Sequence, residues 1–217
     1  MSTDRTFLFA DLTGFTALTE SHGDSDAADV AVQFEGLARS ALVGGAVLVK
    51  TVGDEVMVTA ESPVAGLQVA LALRAAVLGR ERFPSLRSGL HHGPAVARGA
   101  DWFGSAVNLA ARVAGQARAG EVMCTEAFAR AVGPLAGVRF VSVGEVHLKN
   151  IAQPVPLCRV VDEQDAASTA RAIDPVCRMQ VDVDAAPARL CHAGRMLFFC
   201  GVPCAKVFLD HPERYAS

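Results

Sequence analysis

The stretch AVLVKTVGDEVMVTA, residues 46–60, decides how the chain folds. It contains two apolar, β-branched runs separated by a Gly-Asp pair, a pattern typical of a β-hairpin. Upstream, RTFLFADL (5–12) predicts a short strand that ends at an acid, and TGFTALTES (13–21) starts a helix. The segment ADVAVQFEGLARSAL (28–42) continues helical until a Gly-Gly pair stops it. The hairpin is therefore preceded by a strand and a helical region.

Downstream of the hairpin the same two kinds of pattern alternate. The segments are an amphipathic helix at 63–80, a strand and return at 87–100, a strand then a helix at 120–132, and strands at 138–150 and 155–161. The order βαββαβ with extra strands predicts an α/β (α+β) sandwich with a ferredoxin-like core. We expect its helices on one face of a mostly antiparallel sheet.

Composition divides the chain into two domains. Residues 162–173 are polar, small and unpatterned, which is typical of a linker between a domain at 1–161 and a small domain at 174–217. Of six cysteines, four lie in that small domain. In a cytosolic chain, such a cluster favours a metal site over a disulfide. Cys124 and Cys158, isolated in strand-like runs, are expected to be small core residues.

Charge and hydropathy exclude some partners. The net charge of −3 leaves no basic footprint, so nucleic acid is not an expected partner. The most apolar long stretch, residues 63–79, is interrupted by Gln68 and Arg74 and is too short to cross a bilayer. Charges near the amino terminus argue against a signal peptide. We therefore expect a cytoplasmic protein with no membrane partner.

Two acids stand at predicted strand ends. Asp11 closes the first strand, and Asp54 lies in the hairpin turn. Neighbouring strands of this topology bring such carboxylates to one sheet edge, where they form a hard-oxygen site suited to magnesium. The helix start in LTGFT (12–16) exposes backbone N–H groups that favour a phosphate. Together they predict a metal–triphosphate site, although hairpin aspartates are also common turn formers.

The stretch DWFGSAVNLAAR (101–112) sets an amide and a guanidinium in an apolar helix. Ala106, Leu109 and Ala110 form one face, while Asn108 and Arg112, four residues apart, project together from another. For an isolated helix this pattern favours a solvated face with Asp101 as a capping residue. A second interpretation is a polar stripe that faces a ligand.

Four co-linear pieces carry a resemblance that decides between these interpretations. They are FLFADLTGFTALTE, VKTVGDEVMV, the stretch from Gly89 to Phe128, and GEVHLKNIAQPVPLCRV. Together they resemble class III nucleotidyl cyclases over about residues 5–161. In that family two protomers pack head to tail, and each active site is shared across the interface. The resemblance therefore implies a homodimer.

The resemblance also implies roles for single residues. Asp11 and Asp54 match the two metal-binding aspartates of one protomer, which hold two Mg²⁺ (or Mn²⁺). The pair that orients the ribose and stabilises the transition state, Asn108 and Arg112, comes from the other protomer. Lys50 and Asp101 match the pair that reads the purine, and Lys149 matches a lysine that contacts the terminal phosphates. The substrate-binding loop comprises Thr13, Gly14, Phe15 and Thr16. His91 and His92 are expected to pack rather than catalyse.

The matched residue types favour adenine. A carboxylate at Asp101 accepts from an exocyclic amine, and Lys50 donates to the adjacent ring nitrogen, which is the pattern that adenine offers and guanine does not. We therefore expect an adenylate cyclase, a lyase that converts ATP to 3′,5′-cyclic AMP and pyrophosphate by two-metal catalysis. The alternative is a non-catalytic nucleotide- or metal-sensing regulator on a cyclase fold.

The small domain carries DPVCRM and CHAGRMLFFCGVPCAKVFLDHPERY, which resemble YHS domains over residues 174–215. Cys177, Cys200 and Cys204 are the predicted ligands of one zinc-like ion, since thiolates favour zinc or copper(I). The fourth ligand stays open among three candidates: Cys191, His192 and His211. The chain departs from the family pattern at three positions, with Arg178 for the usual glycine, Cys191 for a tyrosine and Gly201 for a serine. A purely structural zinc site and a metal sensor both fit this pattern.

Overall fold

The computed structural model describes residues 2–163 and 171–215. The larger domain contains, in chain order, β1 (Thr3–Leu12), α1 (Phe15–His22), α2 (Asp24–Ser40), β2 (Val47–Val52), β3 (Glu55–Ala60), α3 (Pro63–Leu78), β4 (Leu86–Arg98), β5 (Asp101–Phe103), α4 (Ser105–Ala114), β6 (Val122–Thr125), α5 (Glu126–Val132), β7 (Val138–Val146) and β8 (Val155–Asp162). The small domain contains β9 (Arg171–Ile173), β10 (Gln180–Asp182), β11 (Ala188–His192), β12 (Arg195–Phe199), α6 (Val202–Asp210) and a short 3₁₀ helix (Pro212–Arg214).

One sheet organises the larger domain. Its strand order is β2-β3-β1-β4-β6-β8-β7, with β5 paired to β4. Every pairing is antiparallel except the one between β4 and β6. The first four strands give the order β2-β3-β1-β4, so the predicted ferredoxin-like core and the predicted hairpin at 46–60 are confirmed. Of the predicted linker, residues 164–170 lie outside the described residues.

The sheet is covered on both faces. Along β1, Leu8 and Leu12 join the core formed with α2 and α3, whereas Phe7 and Phe9 join a second core formed with α4. This alternation follows from the two-residue period of a strand. The expectation that all helices lie on one face is therefore wrong for α4, because the run 7–10 is apolar at every position and each of its two faces needs cover.

Close packing of α4 depends on a glycine in β4. A Cβ added at Gly89 would lie 2.0 Å from the backbone nitrogen of Ala114. The helix buries Ala106, Ala110 and Val113 against the sheet, and Leu109 is half-buried. The small residues noticed in the sequence therefore face the sheet.

The small domain packs against the larger one. Its buried residues belong to the same hydrophobic cluster as the α2–α3 core; they include Val176, Met179, Phe199 and Phe208. The backbone N–H of Gln180 donates to the carbonyl of Phe83 at 2.9 Å, and Pro84 forms a β-bridge with Met179. Residues 83–84, between α3 and β4, are thus the segment against which the small domain packs. None of the helices found in residues 2–163 and 171–215 has the length and apolar character needed to cross a membrane.

Candidate active site and metal centre

The two predicted metal-binding acids lie side by side. Antiparallel pairing of β1 with β3 sets Asp11 opposite Glu55, and Asp54 occupies the preceding turn. The backbone N–H of Leu12 donates to the carbonyl of Asp54 at 3.3 Å. Burial, followed by the hydrogen bond and the charge of Asp11, raises the pKa of Asp54 to about 7. A pair of carboxylates pressed together in this way has the donor chemistry of a site for hard divalent cations.

A positive charge that sequence reasoning missed balances these acids. Arg87, at the start of β4, is the register partner of Asp11. Its Nε donates to Oδ2 of Asp11 at 2.7 Å, and its Nη2 contacts the same oxygen. Burial and the charge of Asp11 also raise the pKa of Glu55, a third acid at this edge. Only the strand register could have identified Arg87, because 75 residues separate it from Asp11 along the chain.

The predicted phosphate-binding loop, residues 13–16, directly follows β1. The backbone N–H and the hydroxyl of Thr13 both donate to the carbonyl of Ser85, at 2.7 and 3.0 Å. Gly14 has a left-handed φ of 80° and caps α1. Since the first N–H groups of a helix have no intrahelical acceptor, those of Gly14, Phe15 and Thr16 are candidate donors for an anion. Thr13 serves to anchor the loop.

The predicted purine-reading residues meet across the sheet. The Nζ of Lys50 lies 2.6 Å from Oδ2 of Asp101, and both side chains are partly exposed. The hydrogen bond from Lys50, and next the one from the backbone N–H of Trp102, lower the pKa of Asp101. Asp101 lies in β5 rather than at the helix start, so the interpretation of Asp101 as a helix cap is wrong. Gly104 occupies the capping position.

Asn108 and Arg112 lie on the face of α4 that points away from the sheet. Both are exposed on α4, opposite the buried face. Within residues 2–163 and 171–215, neither side chain has a hydrogen-bond or ion-pair partner. They are therefore available to a group outside their own chain.

Lys149 lies beside the same helix. It is exposed in the turn between β7 and β8. Its neighbour Leu148 is buried with Val113 of α4. Strand directions set this turn at the end of the sheet where β4 stops, and the acids lie where β4 begins. Lys149 therefore belongs with Asn108 and Arg112 rather than with the two aspartates.

The two histidines of β4 have structural partners. Nδ1 of His91 lies 2.8 Å from the hydroxyl of Thr125, and Nδ1 of His92 lies 2.9 Å from that of Thr6. Burial, and next the neighbouring His92, lowers the pKa of His91 to about 4. The expected packing role of both residues is confirmed. Cys124 and Cys158 are likewise buried core residues.

The three predicted zinc ligands converge in the small domain. The Sγ atom of Cys200 lies 3.4 Å from that of Cys177 and 3.6 Å from that of Cys204. Hydrogen bonds from the other two thiols, Cys177 first, lower the pKa of Cys204 to about 5. The buried carboxylate of Asp174 accepts from the backbone N–H of Cys200 at 2.7 Å and of Cys177 at 3.3 Å, which fixes the two cysteine loops.

The fourth group at this cluster is His22, which sequence reasoning missed. Its Nε2 lies 3.4 Å from Sγ of Cys204 and 3.6 Å from Sγ of Cys200, and the four ligand atoms lie within 4.8 Å of one another. None of the three candidates named from the sequence joins this group of described residues. Cys191 and His211 are exposed, and His192 makes an edge-to-face contact with Phe208 at a ring separation of 5.2 Å. The structure therefore contains a possible His/Cys metal site that spans both domains.

Comparison with known proteins defines the class. The family model described as "Adenylate and Guanylate cyclase catalytic domain" matches residues 2–158, and the YHS domain model matches residues 172–217. The chain therefore belongs to the adenylate and guanylate cyclase catalytic domain family and carries a YHS domain. Both predicted resemblances are confirmed.

Curated proteins similar to this chain include bacterial adenylate cyclases. The chain is 39% identical over 158 residues, 71% of its length, to the pH-sensitive adenylate cyclase of Mycobacterium tuberculosis (strain CDC 1551 / Oshkosh). It is 39% identical over 116 residues, 53% of its length, to an adenylate cyclase of Glutamicibacter nicotianae. The chain spans 40% and 29% of the lengths of these two relatives.

Solved structures agree on the fold. The adenylyl cyclase CyaB from P. aeruginosa matches with a TM-score of 0.65 at 24% identity, over 75% of this chain and 95% of that one. A monomeric adenylate cyclase from Trypanosoma brucei matches with a TM-score of 0.67 at 22% identity, over 78% and 92%. The predicted fold class is thereby confirmed.

Proposed function

We propose that the chain is an adenylate cyclase that converts ATP to 3′,5′-cyclic AMP and pyrophosphate at sites shared between two copies of the chain. The carrying observation is the division of the site residues. Asp11 and Asp54 adjoin each other at one sheet edge, whereas Asn108 and Arg112 point away from the sheet. No described hydrogen bond or ion pair joins the two groups, so a second chain supplies the missing half of each site.

Each group has a role that follows from its chemistry. Asp11 and Asp54 would hold the divalent cations, Mg²⁺ or Mn²⁺, whose chemistry would be to favour the deprotonated ribose 3′ oxygen and to neutralise charge on the phosphates. The N–H groups of Gly14, Phe15 and Thr16 bind phosphate oxygens at the start of α1. The 3′ hydroxyl loses its proton to solvent, its oxygen forms a bond to the α-phosphorus, and the bond from that phosphorus to the pyrophosphate oxygen breaks.

The second chain completes the reaction. The guanidinium of Arg112 from the partner subunit stabilises the charge that grows on the transferring phosphorus, because its planar fork matches phosphate oxygens. The partner's Asn108 orients the ribose, and the partner's Lys149 contacts the terminal phosphates. The partner's Asp101 accepts from the adenine amine while the partner's Lys50 donates to the ring nitrogen, so ATP is preferred to GTP.

Cyclic AMP production tests this function. The full chain is incubated with ATP and Mg²⁺, then Mn²⁺, beside the Asp11→Asn variant and an exposed control, Glu20→Gln. We expect product from wild type and control, and none from Asp11→Asn. Wild-type protein that binds ATP yet yields no product with either metal would overturn catalysis and favour a nucleotide-sensing regulator.

We also propose that Cys177, Cys200 and Cys204 bind one zinc-like ion. A domain of this size buries little hydrophobic core of its own, so a bound metal ion adds to its stability. The three converging thiols provide ligands for such an ion. The thiols and ATP both fit a cytoplasmic protein. Metal analysis of wild type should give one ion per chain, Cys200→Ser should lose it, and Cys191→Ser, an exposed cysteine of the same domain, should keep it. Wild-type protein without metal after zinc loading would refute the site.

A further inference from the structure

The position of His22 changes what the thiolate cluster does. Cys177, Cys200 and Cys204 belong to the YHS domain, but His22 is the last residue of α1 in the cyclase domain. Its side chain is only 16% exposed, and its Nε2 faces two of the sulfurs. An ion at this cluster therefore touches both domains of one chain.

The spacing of the four ligand atoms fits a tetrahedral metal ion. Bonds of about 2.3 Å to sulfur and about 2.0 Å to nitrogen hold ligand atoms roughly 3.5–3.8 Å apart. Four of the six separations are 3.4–3.6 Å, and all six are within 4.8 Å. On the far side of the imidazole, Nδ1 lies 4.0 Å from Oδ2 of Asp26, beyond hydrogen-bond distance, so Nε2 is the ring nitrogen that faces the thiols.

The other end of α1 is also in contact with the YHS domain. Arg178, next to Cys177, has a left-handed φ of 63°. A Cβ added at Gly14 would lie 2.3 Å from both Cβ and Cγ of Arg178, so that side chain packs directly on the loop. An eight-residue helix is only about 12 Å long. Gly14 at its start and His22 at its end are thus both held by one small domain.

We propose that a zinc-class ion bound by Cys177, Cys200, Cys204 and His22 ties the YHS domain to α1, and that its binding fixes the loop of Gly14–Thr16 and raises the cyclase rate. Ordering the loop before substrate arrives pre-organises its N–H groups for phosphate. The metal tie needs no cyclase activity, whereas the rate effect rests on the proposed function.

Cobalt(II) spectroscopy of the full chain tests the tie. Tetrahedral thiolate–imidazole cobalt has intense visible and charge-transfer absorption, which reports the ligand set directly. Loss of a group that merely orients a ligand weakens metal binding about 10–100-fold, so loss of the ligand itself in His22→Ala should weaken it at least about tenfold and alter the spectrum. His211→Ala, which removes an exposed histidine of the YHS domain, should match wild type. Unchanged cobalt affinity and spectrum in His22→Ala would overturn the assignment.

Two further measurements separate the tie from its consequence. Metal should slow amide hydrogen exchange in residues 15–22 of wild type, and not in His22→Ala. At saturating Mg²⁺, zinc should raise the cyclase rate of the wild type severalfold. It should not change the cyclase rates of His22→Ala and Cys200→Ser. An active wild type whose rate ignores zinc refutes the regulation. If the wild type makes no cyclic AMP, the proposed function fails, and cobalt binding and hydrogen exchange still decide whether the metal tie exists.

Discussion

The acidic edge of the sheet and the thiolate cluster are two candidate metal sites of opposite construction. Asp11 and Asp54 offer hard oxygens at a partly exposed strand end, with Arg87 already paired to one of them. The thiolate cluster offers soft sulfurs that are buried and backed by Asp174. Among the described residues no hydrogen bond or ion pair joins the acidic site to Asn108 or Arg112, whereas the thiolate cluster has a fourth group in the same chain, at His22. Oxygen ligands at an open edge suit a metal that arrives with substrate, and buried thiolates suit a resident ion.

The largest expected effect tests the independence of the two sites. Asp54→Asn should lower cyclic AMP production at least about a hundredfold, because metal stabilisation of several kcal/mol is lost. Cobalt binding at the thiolate cluster should not change, since no ligand there is altered. Steady-state rates and a cobalt titration on the same preparation check both expectations. A parallel loss of cobalt binding would show that the variant disturbed the fold rather than the acidic site.

Mixing experiments test which site needs a second chain. Asp54→Asn and Arg112→Ala proteins should each be inactive, and a mixture should recover about a quarter of wild-type sites, because half of randomly paired dimers contain one intact site of two. A mixture of Cys200→Ser and His22→Ala should not recover cobalt affinity, because that site is completed within one chain. Subunit exchange is verified separately with differently tagged chains. Proven exchange without recovered activity would contradict the shared active site.

The purine pair gives a smaller effect. Lys50 and Asp101 lie 2.6 Å apart, so they are placed to act together on one base. Replacing them with Glu and Cys, the types found in the family's guanylate cyclases, should lower the ATP/GTP preference at least about fivefold, because a mismatched buried hydrogen bond costs about 1–3 kcal/mol. Ratios of kcat/KM for the two nucleotides measure this change. An unaltered ratio in a double variant that still turns over would locate purine recognition elsewhere.

The smallest expected effect concerns Arg87, whose guanidinium is paired with Asp11 at the acidic site. Arg87→Ala removes the guanidinium that competes with metal for Oδ2 of Asp11, and leaves more negative charge at the edge. The Mg²⁺ concentration for half-maximal rate should fall about two- to fivefold, in keeping with a partly exposed ion pair of up to about 1 kcal/mol. Arg98→Ala, at the exposed far end of the same strand, is the control. A rise in the required Mg²⁺ would mean that Arg87 orients Asp11 for the metal.

Local pattern was enough for much of the fold and for half of the site. The hairpin at 46–60 and the helix at 63–78 follow from short-range periodicity, which depends only on neighbours in the chain. The positions of Asp11 and Asp54 at strand ends follow from the same patterns, and the pairing of Lys50 with Asp101 follows from the family resemblance. The face chosen by α4 did not follow, because it depends on which sides of β1 remain uncovered after the sheet has formed.

The sequence by itself determined the family, the two domains, the acidic pair and the three clustered cysteines, since each is recorded in residue types at fixed spacing. Only the tertiary structure decided the rest. His22 lies 178 residues from Cys200 along the chain, in a stretch with no metal-ligand spacing, and it meets the thiols only because the YHS domain packs against residues 83–84. Arg87 reaches Asp11 through the register of β1 with β4. Spacing can report ligands that share a loop or a helix, but groups that meet through docking or strand register are brought together by packing that the local sequence does not record.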